Sequence, residues 1–365
     1  MHKKKILIDC HSFDFDYYQG VTTYISGLYK ELIEERKDIS FYFASNNLNK
    51  IKSIFGAATN VFYLKLNYKS SLIRLTFELP FLVLKHNIDF IHVQYKSPFL
   101  KFCKEIVTVH DVLFIDYPEY FTSKFRIINK IYYRFSSRRA DILLTVSNYS
   151  KSRISKHFKI PENKIQITPN GVDDVFLKLS NNTNLLSNVK LKYTIDKYIL
   201  YVSRIEPRKN HDMVVKAFKE LRLYEKGIKL VFVGAQTHKS VKLLDELKKV
   251  KDGSIVSLEN ISTKELSSLY SNAMFSVFPS FAEGFGIPPI ESVIMRTPVI
   301  LSNTTAMKDF SFLSDKMIDP YSLKDLKALM EMGAKRLFNF EEKQREVAIE
   351  NYSWKQIALN FNKLI

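Results

Sequence analysis

A chain of 365 residues is too long for one ordinary hydrophobic core, so two domains are the first expectation. An apolar share of 46% with 28 Phe and 20 Tyr excludes a disordered chain, and the two cysteines, Cys10 and Cys103, exclude a disulfide framework or a four-thiolate zinc site. The net charge of +17 favours polyanionic partners (nucleic acid, anionic lipid or phosphorylated small molecules), unless it reflects Lys-rich usage throughout.

The opening "MHKKKILIDC" has too short an apolar stretch for a signal peptide, whose core needs roughly 7–15 residues. No run approaches the ~18 apolar residues of a membrane span. The expectation is a cytoplasmic chain, neither exported nor integral.

In chain order, "KILIDC" reads as a strand, followed by an amphipathic helix over about 21–35. "ISFYFAS" is strand-like, and "SLIRLTFELPFLVLKHN" is helical despite Pro80. "DFIHVQY" and "EIVTVHD" are strands. A basic helix over 123–140, the strand "DILLTVS", a helix over 148–158 and the strand "KIQITPNG" complete a first domain, 1–178. The Asn/Ser-rich stretch 177–195 breaks the rhythm and reads as a linker.

The alternation then restarts with "YILYVS", a helix over 211–221, "IKLVFVG", a helix over 239–250, "SIVSL", a helix over 263–271 and "MFSVFPS". A helix opening at Pro288, the strand "PVILS" and helices over 322–338 and 353–364 follow. The second domain is 179–351, and the terminal helix 352–365 is expected to pack back on the first. β-branched runs each followed by a 3.6-period stretch predict α/β architecture: two Rossmann-like, doubly wound domains facing across a cleft. Such sheets bind ligands at the carboxyl ends of their strands.

Three segments carry chemistry. In "FPSFAEGFGIPPIESVIMRTPVI" a buried-type strand feeds a loop with Glu283, Gly284 and Gly286, and a helix opens at the prolines. Backbone N–H groups and the dipole at a helix start suit a diphosphate, and two carboxylates eight apart suit the vicinal hydroxyls of a sugar or ribose. The plain alternative makes Glu291 a helix-start carboxylate and Glu283 a solvated one. In "LYVSRIEPRKNHDMVVKAF", Arg204 and Lys209 offer two cations at a strand's carboxyl end, fit to neutralise a pyrophosphate leaving group. The alternative is a solvated basic turn, with Arg208 its plainest member. In "VTVHD", His110 ends an apolar strand, placed either to meet a sugar hydroxyl or proton or to be satisfied by local backbone.

Other patterns point nowhere. Asp14-Phe15-Asp16 spells a metal-binding D-x-D but directly follows the first strand, where that motif is out of place. His157, His211 and His238 lack ligand-spaced partners and read as solvated. There is no phosphate-binding G-x-x-x-x-G-K-[ST] loop, no G-x-S-x-G turn, no third glycine after Gly284-Phe285-Gly286 and no nucleic-acid module. The helix 123–140 places Phe125, Ile128, Tyr132 and Phe135 on one face amid six basic residues, which suits either a buried core face or the inner face of an anionic membrane.

Together these segments resemble the family 4 glycosyltransferases, retaining enzymes of the GT-B fold. Their E-x7-E signature is met by Glu283 and Glu291, their Arg…Lys pair by Arg204 and Lys209, and their first-domain His by His110. "VSNYSKSRI", "ITPNGVD", "VFVG", "RTPVI", Asp319-Pro320 and "YSW" follow in family order over nearly the whole chain. Within the family, "EPRKN", "HDVLF" and "EGFGIPP" most resemble bacterial mannosyltransferases of surface polysaccharide assembly.

The resemblance implies a role for each matched residue. Arg204 and Lys209 bind the donor diphosphate, Glu283 contacts the transferred sugar, and Glu291 contacts the nucleotide ribose. Backbone around Gly284, Phe285, Gly286 and Ile287 holds sugar and phosphate, and His110 touches the donor sugar. Gly20 lies in a loop facing the diphosphate, although Gln19-Gly20 stands where the family shows Gly-Gly. It also implies no cofactor and no metal, a nucleotide sugar as donor substrate (GDP-mannose first, UDP- or dTDP-sugars as alternatives), and a glycan or lipid-linked acceptor. The readings left beside it are a non-catalytic polyanion binder, and the same fold turned to epimerisation or phosphorolysis.

Overall fold

β1 (Lys4–Asp9) ends in four fully buried residues, the signature of a strand covered on both faces. In the computed structural model, which describes residues 3–14, 20–180, 189, 192–235, 243, 246–247 and 253–365, it is an interior strand of a seven-stranded parallel sheet. The others are β2 (Ile39–Ser45), β3 (Val61–Lys65), β4 (Phe90–Gln94), β5 (Lys104–Thr108), β6 (Ile142–Thr145) and β7 (Ile165–Ile167). Their order is β3-β2-β1-β4-β5-β6-β7. A second parallel sheet holds β8 (Lys197–Val202), β9 (Ile228–Val233), β10 (Ile255–Leu258), β11 (Phe275–Phe278), β12 (Val299–Ser302) and β13 (Met317–Ile318), in the order β10-β9-β8-β11-β12-β13. Both orders reverse direction beside their first strand. A doubly wound sheet binds at that reversal, outside the carboxyl ends of β1 and β4 or of β8 and β11.

Right-handed crossovers, the rule for such connections, put the segments entering β4, β6 and β7 on one face of the first sheet. One buried cluster accordingly joins Leu75, Leu79 and Val83 to Tyr133, Ile154, Phe158 and the strand residues Val93 and Val107. Pro80 is accommodated: a π turn, Arg74–Glu78, immediately precedes the helix Leu79–His86 and widens the ladder where proline supplies no N–H. The predicted helix over 239–250 lies largely outside the described residues, as does most of the linker 177–195.

The chain divides into two compact units, Met1–Gly171 with Trp354–Ile365, and Val172–Ser353. The division falls seven residues before the expected 178/179, because the helix Asp174–Leu179 packs on the helices Thr263–Asn272 and Ile287–Ile294 of the second unit. Its buried Phe176 meets the edge of Tyr270 at 6.0 Å. Tyr352 and Ser353 also belong to the second unit, tied to Val172 by a backbone hydrogen bond of 2.9 Å and an isolated bridge. The terminal helix, Trp354–Asn362, lies against the helix Gly20–Glu35.

That last contact is tight. A Cβ on Gly27 would stand 2.0 Å from the Trp354 indole, and one on Gly171 would stand 2.6 Å from it. Gly27→Ala is therefore expected to destabilise the first unit by about 1–3 kcal/mol through overpacking against a rigid ring. The fluorescence of Trp354, the chain's one tryptophan, reports the melt directly. An unshifted transition would show that the indole moves aside.

Candidate active site

The carboxyl ends of β8 and β11 carry the charged cluster. After β8 the chain runs through Arg204 into a 3-10 turn, Pro207–Lys209, and then Asn210 in the left-handed conformation at φ 62°, which Asn tolerates. The Asn210 amide donates to the carbonyls of Pro279 (3.2 Å) and Pro320 (2.8 Å), tying this turn to the loop after β11. The Tyr201 hydroxyl holds the Lys209 carbonyl from below. Lys209 is thus buried with its ammonium 2.5 Å from Glu283 Oε1 and 5.3 Å above the Phe278 ring. Arg208 donates to Glu283 Oε2 and to the Ala282 carbonyl, each at 2.9 Å, and pairs with Glu206 at 2.7 Å. The Glu283 N–H donates to Thr305 Oγ1.

Burial by itself would raise the Glu283 carboxyl, but the Lys209 and Arg208 charges hold it down at about 2. Burial pulls the Lys209 ammonium below its ordinary value, against the opposing pull of Glu283. The pair is a buried, ionised unit placed at the point where the second sheet reverses.

Two expectations for this turn need correction. Arg208 is no solvated bystander, since both its terminal guanidinium nitrogens are engaged. His211 is not solvated either: it is buried, stacks on Tyr201 at 4.3 Å, bonds Ser203 Oγ, and burial drops it to about 3. Arg204 is the exposed cation of the turn, with a Glu206 carboxylate oxygen 4.0 Å away.

The loop after β11 brings Gly284, Phe285 and Gly286 to the helix Ile287–Ile294. Gly286 sits at φ 111°, where a side chain is strained, and a Cβ there would collide with Met307 Cε. Phe285 is buried, edge-on to Phe310 and Tyr352. Pro288 and Pro289 remove two donors from the first turn, so the N–H groups nearest the helix start that can face an anion are those of Phe285, Gly286 and Ile287, with the dipole end unchanged. Glu291 is largely enclosed and its Oε2 accepts from the Tyr270 hydroxyl at 3.0 Å. Burial raises it to about 7 against that single hydrogen bond. Tyr270, the partner, carries no signal in the sequence; it emerges only from the packing of the 263–272 helix.

His110 and Gly20 belong to the other unit. His110 is buried just beyond β5, and its Nε2 donates to Gln94 Oε1 at 2.7 Å. Behind it, Gln94 reaches His92, which bonds Thr108 Oγ1 (2.8 Å) and the Tyr29 hydroxyl (2.7 Å). Burial drops both histidines to about 3, so His110 is a neutral ring with Nδ1 as its open acceptor. Gln94 and His92, which orient it, went unread in the sequence. So did Arg74, buried on the π turn 3.3 Å from Asp9 at the end of β1. Gly20 opens its helix into free space. Of the D-x-D, Asp14 accepts from Ser45 Oγ (2.7 Å) and the Asn47 N–H (3.0 Å), and Asp16 lies outside the described residues, as do Gln19 and His238. His157 bonds Asp116 at 2.7 Å beside Arg153, a structural pairing where the spacing suggested solvent. Among the described residues no three His, Cys, Asp or Glu side chains form a metal-holding group.

Two doubly wound parallel sheets in series, the second with a cation–carboxylate cluster at its reversal, define the GT-B architecture of glycosyltransferases. Over all of this chain and 98% of its own, the crystal structure of a glycosyltransferase from Rickettsia africae superposes with a TM-score of 0.75 at 18% identity. Anabaena HepE, solved in complex with UDP-glucose, superposes with a TM-score of 0.74 over 98% of each chain at 14% identity. Residues 18–176 match the Glycosyltransferase Family 4 model and residues 183–330 the Glycosyl transferases group 1 model, which between them take in most of the chain. The chain belongs to glycosyltransferase family 4. Among curated relatives it is 32% identical over 206 residues to the O-antigen chain mannosyltransferase RfbU of Salmonella typhimurium, across 54% of this chain and 52% of that protein. The chain thus spans about half the length of the curated relatives it matches.

Proposed function

We propose that this chain is a nucleotide-sugar-dependent hexosyltransferase of surface polysaccharide assembly. It moves mannose from GDP-mannose to a growing glycan or lipid-linked oligosaccharide with retention at the anomeric carbon, working on the cytoplasmic side. The observation that carries this reading is the buried Lys209–Glu283–Arg208 cluster, set where the second sheet reverses and next to the Gly284–Ile287 loop. The mannosyl donor is supported by the name of the Salmonella relative. HepE, bound to UDP-glucose, keeps a UDP-sugar as the alternative.

In this reading Lys209 and the exposed Arg204 meet the donor diphosphate, assisted by the N–H groups of Phe285, Gly286 and Ile287. Glu283 uses lone pairs left over from its two cations to accept from hydroxyls of the sugar, and Glu291 accepts from those of the ribose. The acceptor hydroxyl attacks the donor's anomeric carbon from the face that the donor's phosphate vacates as the bond from that carbon to the phosphate oxygen breaks, and the departing phosphate oxygen takes the acceptor's proton. No side-chain base is needed, and His110, neutral and fixed by Gln94, contributes a hydrogen bond to the sugar.

Release of GDP from GDP-mannose in the presence of an acceptor, with a glycan as second product, tests the reaction. A pure polyanion binder releases none, and an epimerase or phosphorylase gives a different product. Because cations of the protein carry the diphosphate, turnover is expected to survive EDTA undiminished. Loss in EDTA with rescue by Mn²⁺ would contradict the assignment and return attention to Asp14 and Asp16.

A further inference from the structure

Arg74 is buried without hydrogen bonds from its side chain. It opens the π turn Arg74–Glu78, and its side chain is 6% exposed. Its Nε stands 3.3 Å from Asp9 Oδ2, an ion pair that lacks the alignment of a hydrogen bond. Neither terminal nitrogen has a hydrogen-bond partner among the described residues. A guanidinium carries five N–H donors, and leaving them buried and unpaired is costly unless a further acceptor enters. Asp9 itself is shared: its Oδ1 accepts from the His11 N–H (3.2 Å) and its Oδ2 lies 3.1 Å from His11 Nδ1. Burial alone would raise the Asp9 carboxyl, but the Arg74 charge and the contacts of His11 hold it well below the usual carboxylate range.

A second cation comes from a strained turn. At the carboxyl end of β4 the Lys96 N–H closes a three-residue turn onto the Gln94 carbonyl (2.8 Å), and Tyr95 between them sits at φ 67°. That conformation is unusual for an aromatic residue. It persists because the Tyr95 ring is stacked on Tyr133 (4.7 Å) and packed on His110 (5.3 Å). Lys96 is partly buried, with its ammonium 5.2 Å above the Tyr132 ring and no ion-pair partner among the described residues. Burial, and then the Arg74 charge, lower that ammonium, so two cations converge here. Acids on adjoining elements are engaged: Asp14 by Ser45 and Asn47, Glu78 by the Asn67 N–H, and Asp111 by the Leu113 N–H.

Position and charge select the ligand. The first sheet reverses between β1 and β4, and a doubly wound sheet binds at the carboxyl ends of such strands. Asp9 ends β1, and Gln94 ends β4 and holds His110, so one turn fixes that ring and presents Lys96 next to it. In the transfer reading the donor diphosphate is met by Lys209 and Arg204 of the second unit. A further pair of cations in the first unit then answers a further anion, and the other substrate is the acceptor. A phosphoryl group offers oxygens to the guanidinium fork and charge to both cations, whereas a neutral sugar offers no charge.

We infer that Arg74 and Lys96 form an oxyanion subsite of the first unit, which holds a phosphoryl group carried by the acceptor. The identity of the acceptor rests on the transfer reading, and the binding of the anion does not.

Calorimetric titration of the intact chain with inorganic pyrophosphate, in GDP sufficient to fill the second unit's diphosphate site, tests the anion. Pyrophosphate is expected to bind, and Lys96→Gln should weaken it about tenfold, the size of one charge-assisted hydrogen bond. Asp9→Asn should strengthen it, since Arg74 then faces the anion without a competing carboxylate; a purely structural ion pair predicts no gain. Arg74→Gln strands Asp9 in the interior and reports folding more than binding. Lys96→Gln removes a partly exposed charge and should keep the parent's melting temperature, and Lys216→Gln in the second unit should change nothing. Acceptor kinetics identify the source of the phosphoryl group. Mannose joined to an octyl chain through a diphosphate should show a Michaelis constant about 100-fold below that of octyl mannoside, and Lys96→Gln should cut that ratio to about tenfold. No pyrophosphate binding, or binding that Lys96→Gln leaves intact, would overturn the inference. So would equal use of the two acceptors by the parent, which would leave the subsite to free anions. The titration needs no turnover, so Lys96-dependent binding in a chain that transfers no sugar would strike the reaction and not the anion site.

Discussion

Lys209→Ala should lower turnover by ~10²–10³-fold while raising the Michaelis constant for the donor far less, the size expected for one electrostatic contact to a developing charge. The donor diphosphate is charged before reaction, but departure of the leaving group concentrates more charge on its β-phosphate oxygens. A buried ammonium already fixed by Glu283 needs no reorganisation to meet that increment, so it favours the transition state over bound donor. Lys209→Gln keeps a donor for Glu283 and removes the charge, and should lose nearly as much. Lys209→Arg should rescue poorly, since the wider fork must enter a space bounded by the Phe278 ring and by Arg208, which already holds the second oxygen of Glu283. Arg208→Ala is no neutral comparison, for it frees one side of that carboxylate. Lys216, exposed on the helix that follows, is. Equal losses in Lys216→Ala and Lys209→Ala would mean a general basic field at work. Unchanged turnover in Lys209→Ala would remove the strongest link between this site and glycosyl transfer.

Glu291→Gln should move stability and donor affinity in opposite directions. The carboxyl is raised to about 7 in the fold against 4.5 for an ordinary glutamate, because it is enclosed with one hydrogen bond to Tyr270. Between those values the folded chain holds a proton that the unfolded chain has released. The contribution to stability therefore falls as pH rises from about 4.5 to about 7, by about 3 kcal/mol at most. A neutral amide escapes that cost, so Glu291→Gln should melt higher than the parent at pH 8 and close to it at pH 4.5. Ribose hydroxyls need the ionised acceptor. Nucleotide binding by the parent should strengthen as pH rises through 7, and the Gln variant should bind more weakly with a flat profile. Unaltered affinity with an unaltered profile would make the ribose assignment wrong, and an unaltered melt at pH 8 would mean the carboxylate is not desolvated.

Strands covered on both faces were the most legible part of the fold, because runs such as "KILID" and "KLVFV" are continuous in apolar residues. The helix Leu48–Phe55 and β3 were missed for a physical reason: the one buries only Ile51 and Phe55, and the other is an edge strand with one buried residue in five. The helix Glu342–Tyr352 buries Gln344, Arg345 and Ala348, and its apolar residues run consecutively as Val347-Ala348-Ile349 with no stripe at helical spacing to read. In the site, spacing exposed the charged residues but not their pairing. Arg208 reads as a surface cation until tertiary structure carries Glu283 to it, and Gln94 reads as a strand residue until His110 is found above it. The same limit applies to the 123–139 helix, whose apolar residues mark a face without saying which way it points.

Thermal denaturation of the intact chain with nucleoside diphosphates and their sugars addresses the nucleotide-sugar site most directly. A ligand at ~100 times its dissociation constant adds about 2.7 kcal/mol to the state that binds it. For a unit the size of Val172–Ser353 that is a rise of roughly 5–10 °C. GDP and GDP-mannose should produce it, and Lys209→Ala and Glu291→Gln should shrink it. A rise with UDP or dTDP in their place would keep the donor class and change the base. No rise with any nucleoside diphosphate or nucleotide sugar would contradict the assignment of this site to glycosyl transfer.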